Sequence, residues 1–271
     1  MSLAGWNAPV KPGRLQCRLA SGSPVVGTRL ASAGRTLPPT RRQRRVAMTP
    51  FPDAQQQVEP PMRLAVLGAT GSVGREFVAQ ALAAGHQVTA LVRGQLEPGE
   101  MDDRVTLVLG NAASADDVKH AVAGSDAVVS ALGHAKGAPD DILARATENV
   151  IAAMRADRID RLVVLSSPAV EDTADRPGLF YRFARLVMRI AIANVVLDHR
   201  EQAHVIEESG LAWTLVRGPV VFTDAPHTGT YHAGPITPHT SPGISRADLA
   251  DFLLATSTNG DFVRMKPLVS K

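Results

Sequence analysis

Cysteine is almost absent from this sequence. The 271 residues include one, Cys17, and it lies before the first segment that has the pattern of a folded domain. Disulfide bonds, zinc sites made of thiolates and a cysteine nucleophile are therefore excluded from the folded part. So little cysteine suits a reducing compartment, and we expect a cytoplasmic protein.

Long apolar runs are missing too. The longest, Leu186–Leu197, contains Arg189 and falls well short of the ~20 residues that a membrane span needs. The histidines also lack metal spacing, because His199 and His204 are five residues apart on one predicted helix and point in different directions. We expect neither a membrane partner nor a metal site.

Acidic residues are absent from the first 52 positions, which hold nine lysines and arginines. The remaining 20 basic and 26 acidic residues give positions 53–271 a charge of about −6. Because phosphate binding requires clustered cations, we expect no nucleic-acid partner for this part. We interpret residues 1–61 as a disordered basic tail. Three origins stay open: an organelle transit peptide, a basic arm, or, as we favour, sequence upstream of a start at Met48 or Met62.

From residue 62 onward, short apolar runs alternate with helix-like segments, which is typical of a parallel sheet with helices on both faces. We predict an α/β fold of Rossmann type, with a doubly wound parallel sheet in a single domain, residues 62–271. The predicted strands are Leu64–Leu67, Gln87–Val92, Val105–Leu109, Asp126–Leu132, Leu162–Ser166 and Trp213–Val216. The predicted helices are Ser72–Ala84, Ala115–Ala123, Asp140–Arg155, Leu179–Glu208 and Arg246–Thr256.

The first predicted strand runs into a glycine-rich turn, residues 68–74, and then into a helix. Glycines allow a tight turn and the close approach of a pyrophosphate, whose charge is stabilised by the free N–H groups and the dipole of the helix start. The spacing G-x-x-G-x-x-G differs from the standard G-x-G-x-x-G and suits extended and atypical short-chain dehydrogenases. The residues predicted to bind the dinucleotide here are Gly68, Thr70, Gly71, Ser72, Val73 and Gly74.

An acidic residue is missing where NAD would need one. In NAD-binding folds the second strand ends in an acid about 20 residues after the glycines, and this acid binds the ribose 2′-hydroxyl. Arg93 holds that position, 19 residues after Gly74, and no acid occurs before Glu97. Because a guanidinium can pair with the 2′-phosphate of NADP, we predict NADP(H) as the cofactor. The alternative is a solvated surface arginine.

Small and polar residues follow three further strands: Asn111 the third, Leu132 and Gly133 the fourth, and Ser166 and Ser167 the fifth. The carboxyl ends of parallel strands meet at one edge of the sheet, where ligands bind. We therefore predict that Asn111 reaches the adenine edge and that the two serines lie at the nicotinamide end. Each could instead be an ordinary loop or strand end.

A Tyr-x-x-x-Lys motif, in which an ammonium group lowers the pKa of a catalytic phenol, is also missing. The nearest match is Tyr181, with Arg185 in the lysine position. An arginine could lower a tyrosine pKa as well, but packing of Tyr181 within its helix is the simpler interpretation. Catalysis by a tyrosine is therefore not the first hypothesis.

These segments resemble the NADPH-dependent flavin reductase and biliverdin IX-beta reductase family, within the atypical short-chain dehydrogenases and the NAD(P)H-binding, NmrA-like proteins. The resemblance covers nearly all of residues 62–271 and rests on residues 68–71, 91–93, 121–128, 198–199, 208–211 and 226–231. It implies that the glycine turn and Arg93 bind NADP. It also implies that Ser167 borders the nicotinamide and His199 the acceptor pocket, as the two catalytic-site residues, while solvent can supply the proton.

The sequence departs from those reductases in two places. Val221 stands where they carry a second pocket histidine, and the segment Asp172–Val196 is longer than theirs. Apolar residues recur in this insert at helical intervals: Leu179, Phe180, Phe183, Leu186, Val187 and Ile190. They indicate a pocket lid, an oligomer face or plain core, with core as the default interpretation.

The sequence thus predicts an NADPH-dependent oxidoreductase that transfers hydride to a small conjugated acceptor, such as a flavin, a quinone-like molecule or a biliverdin-like tetrapyrrole. We expect a monomer or a weak homo-oligomer. Two alternatives stay open. One is a non-catalytic NADP(H)-sensing regulator of the NmrA-like type, and the other is a sugar-nucleotide or steroid-modifying short-chain enzyme that uses Tyr181.

Overall fold

The computed structural model describes residues 60–135 and 137–271. The predicted basic tail lies almost entirely outside these residues, so its origin stays a prediction. The strands and helices, in chain order, are β1 (Arg63–Leu67), α1 (Ser72–Ala83), β2 (Gln87–Val92), β3 (Thr106–Leu109), α2 (Ala115–Val122), β4 (Ala127–Ser130), α3 (Ile142–Asp157), β5 (Arg161–Ser166), α4 (Leu179–Ala191), α5 (Ala193–Glu207), β6 (Ala212–Arg217), β7 (Val221–Thr223), β8 (His232–Gly234), β9 (Gly243–Ser245), α6 (Arg246–Asn259) and β10 (Leu268–Ser270).

Eight strands form the main sheet in the order β3-β2-β1-β4-β5-β6-β10-β8, and β7 pairs with β9 separately. Every neighbouring pair in the main sheet is parallel except β10 with β8. The chain moves outward from β1 in one direction through β2 and β3, then returns to place β4 on the other side of β1. This reversal is the switch point of a doubly wound sheet, so the predicted Rossmann-type fold is confirmed.

Helices cover both faces of the sheet. Along β1, Leu64 and Val66 belong to the apolar cluster that includes α1 and α6, whereas Ala65 and Leu67 belong to the cluster that includes α2, α3 and α5. Successive side chains of a strand point to opposite faces, so a strand between two helical layers has to be apolar at every position. This is why β1 shows a continuous apolar run in the sequence.

Three helix ends carry residues that are favoured at such positions, a serine at two helix starts and a glycine after one helix. The Ser114 hydroxyl accepts a hydrogen bond from the N–H of Asp117 at the start of α2, and Ser245 does the same for Asp248 at the start of α6. Gly85, just after α1, has a φ of 86°, a left-handed conformation that side chains disfavour.

The predicted helix Leu179–Glu208 is wrong as a single element. The chain breaks between α4 and α5 at Ile192, whose φ of −137° and ψ of 47° are not helical. No proline or glycine marks this break, so the sequence offers no local signal for it. The strands β7 to β10 were also not predicted, because each has three residues and is too short to show an alternation.

The interpretation of the apolar residues in the insert Asp172–Val196 as plain core is wrong as well. The side chains of α4 that recur at helical intervals are exposed, with Leu179 at 84%, Ile190 at 76% and Phe183 at 67%. Tyr181 is the buried residue of α4. The apolar stripe of this helix therefore faces outward from the described domain.

Ion pairs hold α4 in place where apolar packing does not. The buried Asp175 carboxylate accepts hydrogen bonds from Arg217 Nη1 at 2.7 Å and Nη2 at 3.0 Å, and from Arg185 Nη2 of α4 at 2.7 Å. Arg217, at the end of β6, is fully buried. Burial alone would raise the pKa of the Asp175 carboxyl, but the two guanidinium groups and the N–H of Ile236 hold it at about 2.

Acid should weaken the fold through this carboxylate. Its folded pKa of about 2 lies below the ordinary value of 3.8, so its stabilisation is complete above about pH 4 and is lost as the pH falls toward 2. The expected loss is about 2–3 kcal/mol. Denaturant unfolding at pH 5.5, 4 and 3 should show about half of this loss by pH 3. The free energy of unfolding of Asp175→Asn should lack this pH-dependent contribution. If the free energy of unfolding of the wild type and of Asp175→Asn fell equally with pH, the acid sensitivity would not come from Asp175.

Candidate functional site

A cavity of ≈ 470 Å³ opens at the carboxyl ends of the first four strands of the sheet, at its switch point. Its size lies in the range of small-molecule sites. The predicted site residues that line it are Gly68, Thr70, Gly71, Arg93, Asn111, Leu132 and Gly133. Four segments that are far apart in the sequence therefore meet in one groove, as the strand-end argument predicts.

The turn after β1 has no space for a side chain at Gly68 or at Gly74. Gly68 has a φ of +82°, and a Cβ there would lie 2.5 Å from the carbonyl oxygen of Ala131. At Gly74, within α1, a Cβ would lie 2.1 Å from the carbonyl oxygen of Gly68. Both glycines are thus required by close backbone packing between β1, α1 and the end of β4.

The start of α1 is open to an anion. Its N-cap residue, Gly71, provides no side-chain hydrogen bond, and no acidic residue lies in the first turn. In contrast, α2 carries the Ser114 cap and two acids in its first turn. The first N–H groups of a helix have no partner within it. At α1 they are left for a ligand such as a pyrophosphate.

Two predicted residues of this turn, Ser72 and Val73, do not line the cavity. Val73 is buried in the core at 7% exposure, so its side chain is directed away from solvent. Ser72 is the first residue of α1 and is exposed. Any contact of these two residues with a ligand would therefore come from their backbone N–H groups.

Arg93 lies at the rim of the cavity, directly after β2. Its side chain is exposed, and it forms no ion pair with an acid among the described residues. A guanidinium in this state is available to a phosphate without first breaking an existing bond. The position of Arg93 at the end of β2 therefore fits the sequence prediction that its guanidinium contacts the 2′-phosphate of NADP.

Asn111 forms hydrogen bonds with two nearby residues of its own loop and helix. Its Oδ1 accepts a hydrogen bond from the N–H of Ala113 at 3.0 Å, while its N–H donates to Asp117 Oδ2 at 2.8 Å. The side-chain amide NH₂ has no partner in the described part of the chain. That group is left to contact a ligand in the cavity.

The predicted residues Ser166, Ser167 and His199 are not among the residues that line the cavity. Ser166 is buried, and its Oγ lies 3.1 Å from His199 Nδ1 of α5. Ser167 Oγ accepts a hydrogen bond from the N–H of Ala169 at 3.2 Å, which closes a turn. Burial and the neighbouring His134 lower the pKa of His199 to about 4. His199 is therefore neutral near pH 7.

Sequence reasoning missed His134, which links these residues to the groove. It lines the cavity beside Gly133, and its ring centre lies 6.3 Å from that of His199. His134 Nε2 lies 2.7 Å from Oδ2 of Asp198, a buried carboxylate on α5. His134 and Asp198 are 64 residues apart, so no local spacing could have indicated the pair.

Tyr181 takes no part in this site. Its hydroxyl donates a hydrogen bond to the carbonyl oxygen of Ser241 at 2.8 Å, and its side chain is buried at 2% exposure. Burial raises its pKa to about 12, although Arg217 and Arg185 act in the opposite direction. A buried phenol with a committed proton disfavours the tyrosine-dependent alternative.

The described residues provide neither a candidate metal site nor a candidate membrane span. No group of three or more histidine, cysteine, aspartate or glutamate side chains is arranged to hold a metal ion there. Within the same residues, none of the helices has both the length and the apolar character that a bilayer crossing requires.

A family model described as NAD(P)H-binding matches residues 68–259. A 2-alkyl-3-oxoalkanoate reductase of Stenotrophomonas maltophilia is 37% identical over 121 residues, which are 43% of this chain and 36% of that protein. An uncharacterized protein of Mycobacterium tuberculosis is 33% identical over 121 residues, 44% of this chain and 14% of that protein. The matched regions thus span a minor part of these relatives.

Solved structures share the fold. A short-chain dehydrogenase/reductase from Veillonella parvula in complex with NADP has a TM-score of 0.64 at 18% identity, covering 78% of this chain and 94% of that one. A Streptococcus pneumoniae protein provisionally described as an NADH-flavin reductase has a TM-score of 0.57 at 23% identity, covering 78% and 99%. At these identities the likeness concerns the fold alone.

Proposed function

Because this chain belongs to the NAD(P)H-binding family, we propose that it is an NADPH-dependent oxidoreductase that transfers hydride to a small conjugated acceptor. The observation that carries the proposal is the meeting of three features in one cavity: the glycine turn, the uncapped start of α1 and the guanidinium of Arg93, which has no ion-pair partner among the described residues. The domain that carries this function is residues 62–271.

Each part of the cofactor has a counterpart in the groove. The pyrophosphate is held by the N–H groups of residues 72–74 at the start of α1, because the N–H of Gly71 already donates to the carbonyl oxygen of Gly68. Arg93 pairs with the 2′-phosphate, and the free amide NH₂ of Asn111 contacts the adenine. Leu132 and Gly133 border the nicotinamide side. Bound NADPH supplies the hydride, and the chain supplies orientation and a surface that excludes water.

The acceptor lies at the end of the groove formed by the β4 and β5 strand ends and α5. In this proposal Ser167 borders the nicotinamide, Ser166 supports His199, and His199 forms a neutral wall of the acceptor pocket. Flavins, quinone-like molecules and biliverdin-like tetrapyrroles are the acceptors in question. The name of the Stenotrophomonas relative points to one more candidate acceptor, an oxoalkanoate, whose ketone is not conjugated with a ring system.

The test is NADPH oxidation by the full chain with FMN, riboflavin, quinones, biliverdin and a 3-oxoalkanoate, with NADH in parallel. Turnover with NADPH would support the proposal, and the preferred acceptor would define the pocket. Binding of NADPH with no turnover on any acceptor would overturn it and would favour the non-catalytic sensor.

Arg93→Ala should weaken NADPH binding by about 10- to 100-fold, because a charge-assisted hydrogen bond contributes roughly 1.5–3 kcal/mol. NADH lacks the 2′-phosphate, so its affinity should stay the same. Fluorescence titration of both cofactors measures the difference. Arg182→Ala, which removes an exposed arginine from α4, is the matched control. Equal losses for NADPH and NADH would refute the phosphate contact.

A further inference from the structure

The loop after β4 and the helix α5 bring an imidazole and a buried carboxylate together beside the cavity. His134 Nε2 lies 2.7 Å from Asp198 Oδ2, with the two side chains 14% and 1% exposed. His134 also lines the cavity. The pair is thus buried on the Asp198 side and open to the groove on the His134 side.

The other bonds of Asp198 define which nitrogen of His134 carries a proton. Asp198 Oδ2 accepts from the N–H of Leu143, and Oδ1 accepts from the N–H of Ala144, both at 2.9 Å. These contacts cap the start of α3, whose own N-cap residue, Asp141, makes no capping hydrogen bond with its side chain. A carboxylate that accepts from two backbone N–H groups acts as an acceptor toward the imidazole too. His134 therefore donates its Nε2–H to Asp198.

This arrangement leaves Nδ1 of His134 as the nitrogen that can exchange a proton. No described residue forms a hydrogen bond with it. His199, the other histidine beside Asp198, is half-buried, has its Nδ1 at Ser166 and is held neutral. Of the two rings, His134 is the one that faces the groove with a carboxylate behind it.

We propose that His134 is the proton donor of the reaction and that Asp198 is its positioning residue. This inference rests on the proposed reductase function and names its acceptor class: a carbonyl compound, either a ketone or a quinone, whose oxygen gains a proton. It departs from the expectation that solvent supplies the proton. An Asp–His pair of this kind orients the ring and stabilises the imidazolium.

The step is balanced. Bound NADPH would supply the hydride: its C–H bond at the dihydronicotinamide would break, leaving NADP⁺, as a C–H bond forms at the carbonyl carbon of a ketone. In a quinone the hydride would end on one oxygen and the displaced electron pair on the other, which is the oxygen that takes the proton. The π electrons of the carbonyl move to oxygen, which takes the proton from Nδ1 of His134. The N–H bond at Nδ1 breaks, and the ring is left neutral with its Nε2–H still donated to Asp198. Water then returns a proton to Nδ1.

His134→Gln should lower kcat for a ketone or quinone acceptor by about 100-fold, in the range expected for loss of a general acid. NADPH affinity should be unchanged. The decline of wild-type kcat at high pH, where a general acid loses its proton, should be absent from the variant. The charged or titratable groups that face His134 are Asp198 and His199. His120→Gln, on the exposed surface of α2, is the matched control.

A readout without turnover tests the pair itself. The Nε2–H of His134, bonded to a buried carboxylate, should give a downfield imidazole N–H resonance by NMR that His134→Gln removes and His120→Gln retains. A His134→Gln variant with kcat within about threefold of wild type and an unchanged pH profile would overturn the proposal. The role left to Asp198 would then be the structural one of capping the start of α3. Absence of turnover in the wild type would instead remove the reductase function and this role with it.

Discussion

Asp175→Ala is expected to lower the free energy of unfolding by about 3–5 kcal/mol, the largest stability effect that we predict for a single side chain. The change leaves Arg217, which is fully buried, without its carboxylate, and it also removes the partner of Arg185. An uncompensated buried cation is costly because the interior solvates charge poorly. Ile236 would lose the acceptor of its N–H as well.

Denaturant unfolding followed by circular dichroism measures this loss. Asp103→Ala, which removes an exposed acid that forms no hydrogen bond or ion pair with another described residue, is the control and should change the free energy of unfolding by no more than about 0.5 kcal/mol. Arg185→Ala should have a smaller effect than Asp175→Ala, because Arg217 then keeps its partner. A loss below about 1 kcal/mol for Asp175→Ala would mean that the cluster contributes little.

Gly74→Ala is expected to reduce NADPH affinity about 100-fold or more. Its Cβ would lie 2.1 Å from the carbonyl oxygen of Gly68 and 2.9 Å from the Cα of Ala69. Because both are backbone atoms, the start of α1 has to move away from the turn. A displacement near 1 Å of groups that bind a ligand can cost about 100-fold.

Fluorescence titration with NADPH tests this prediction, and circular dichroism checks that the variant folds. Gly234→Ala is the matched control, because a Cβ at Gly234 meets nothing within 4 Å. Its affinity for NADPH should equal that of the wild type. If Gly74→Ala folds and binds NADPH as tightly as Gly234→Ala does, the turn is not the pyrophosphate site.

The main sheet was predictable because its signals are local. Buried parallel strands such as β1 are apolar at consecutive positions, and the serine caps of α2 and α6 lie within four residues of the groups they bind. The glycines of the first turn are likewise adjacent in the sequence to the helix whose start they open. Register along one strand then placed Arg93 at the groove.

The insert was misjudged for a physical reason. An apolar stripe at helical intervals has the same sequence pattern whether it faces a core or the outside. In α4 the inward positions are held by Tyr181 and by Arg185 with its buried partner Asp175, so the stripe of Leu179, Phe183 and Ile190 is left exposed. The direction of a helix face is set by contacts from other elements.

By itself, then, the sequence determined the Rossmann-type sheet, the glycine turn at the start of α1 and the place of Arg93, because strand burial, turn conformation and register depend on residues close together in the chain. Only the tertiary structure decided which side chains meet: His134 with Asp198, Ser166 with His199, and Asp175 with Arg217. These contacts join residues 33 to 64 positions apart. They form only when the loop after β4 and the end of β5 pack against α5, and when the segment after β5 packs against the end of β6. No local pattern encodes that packing.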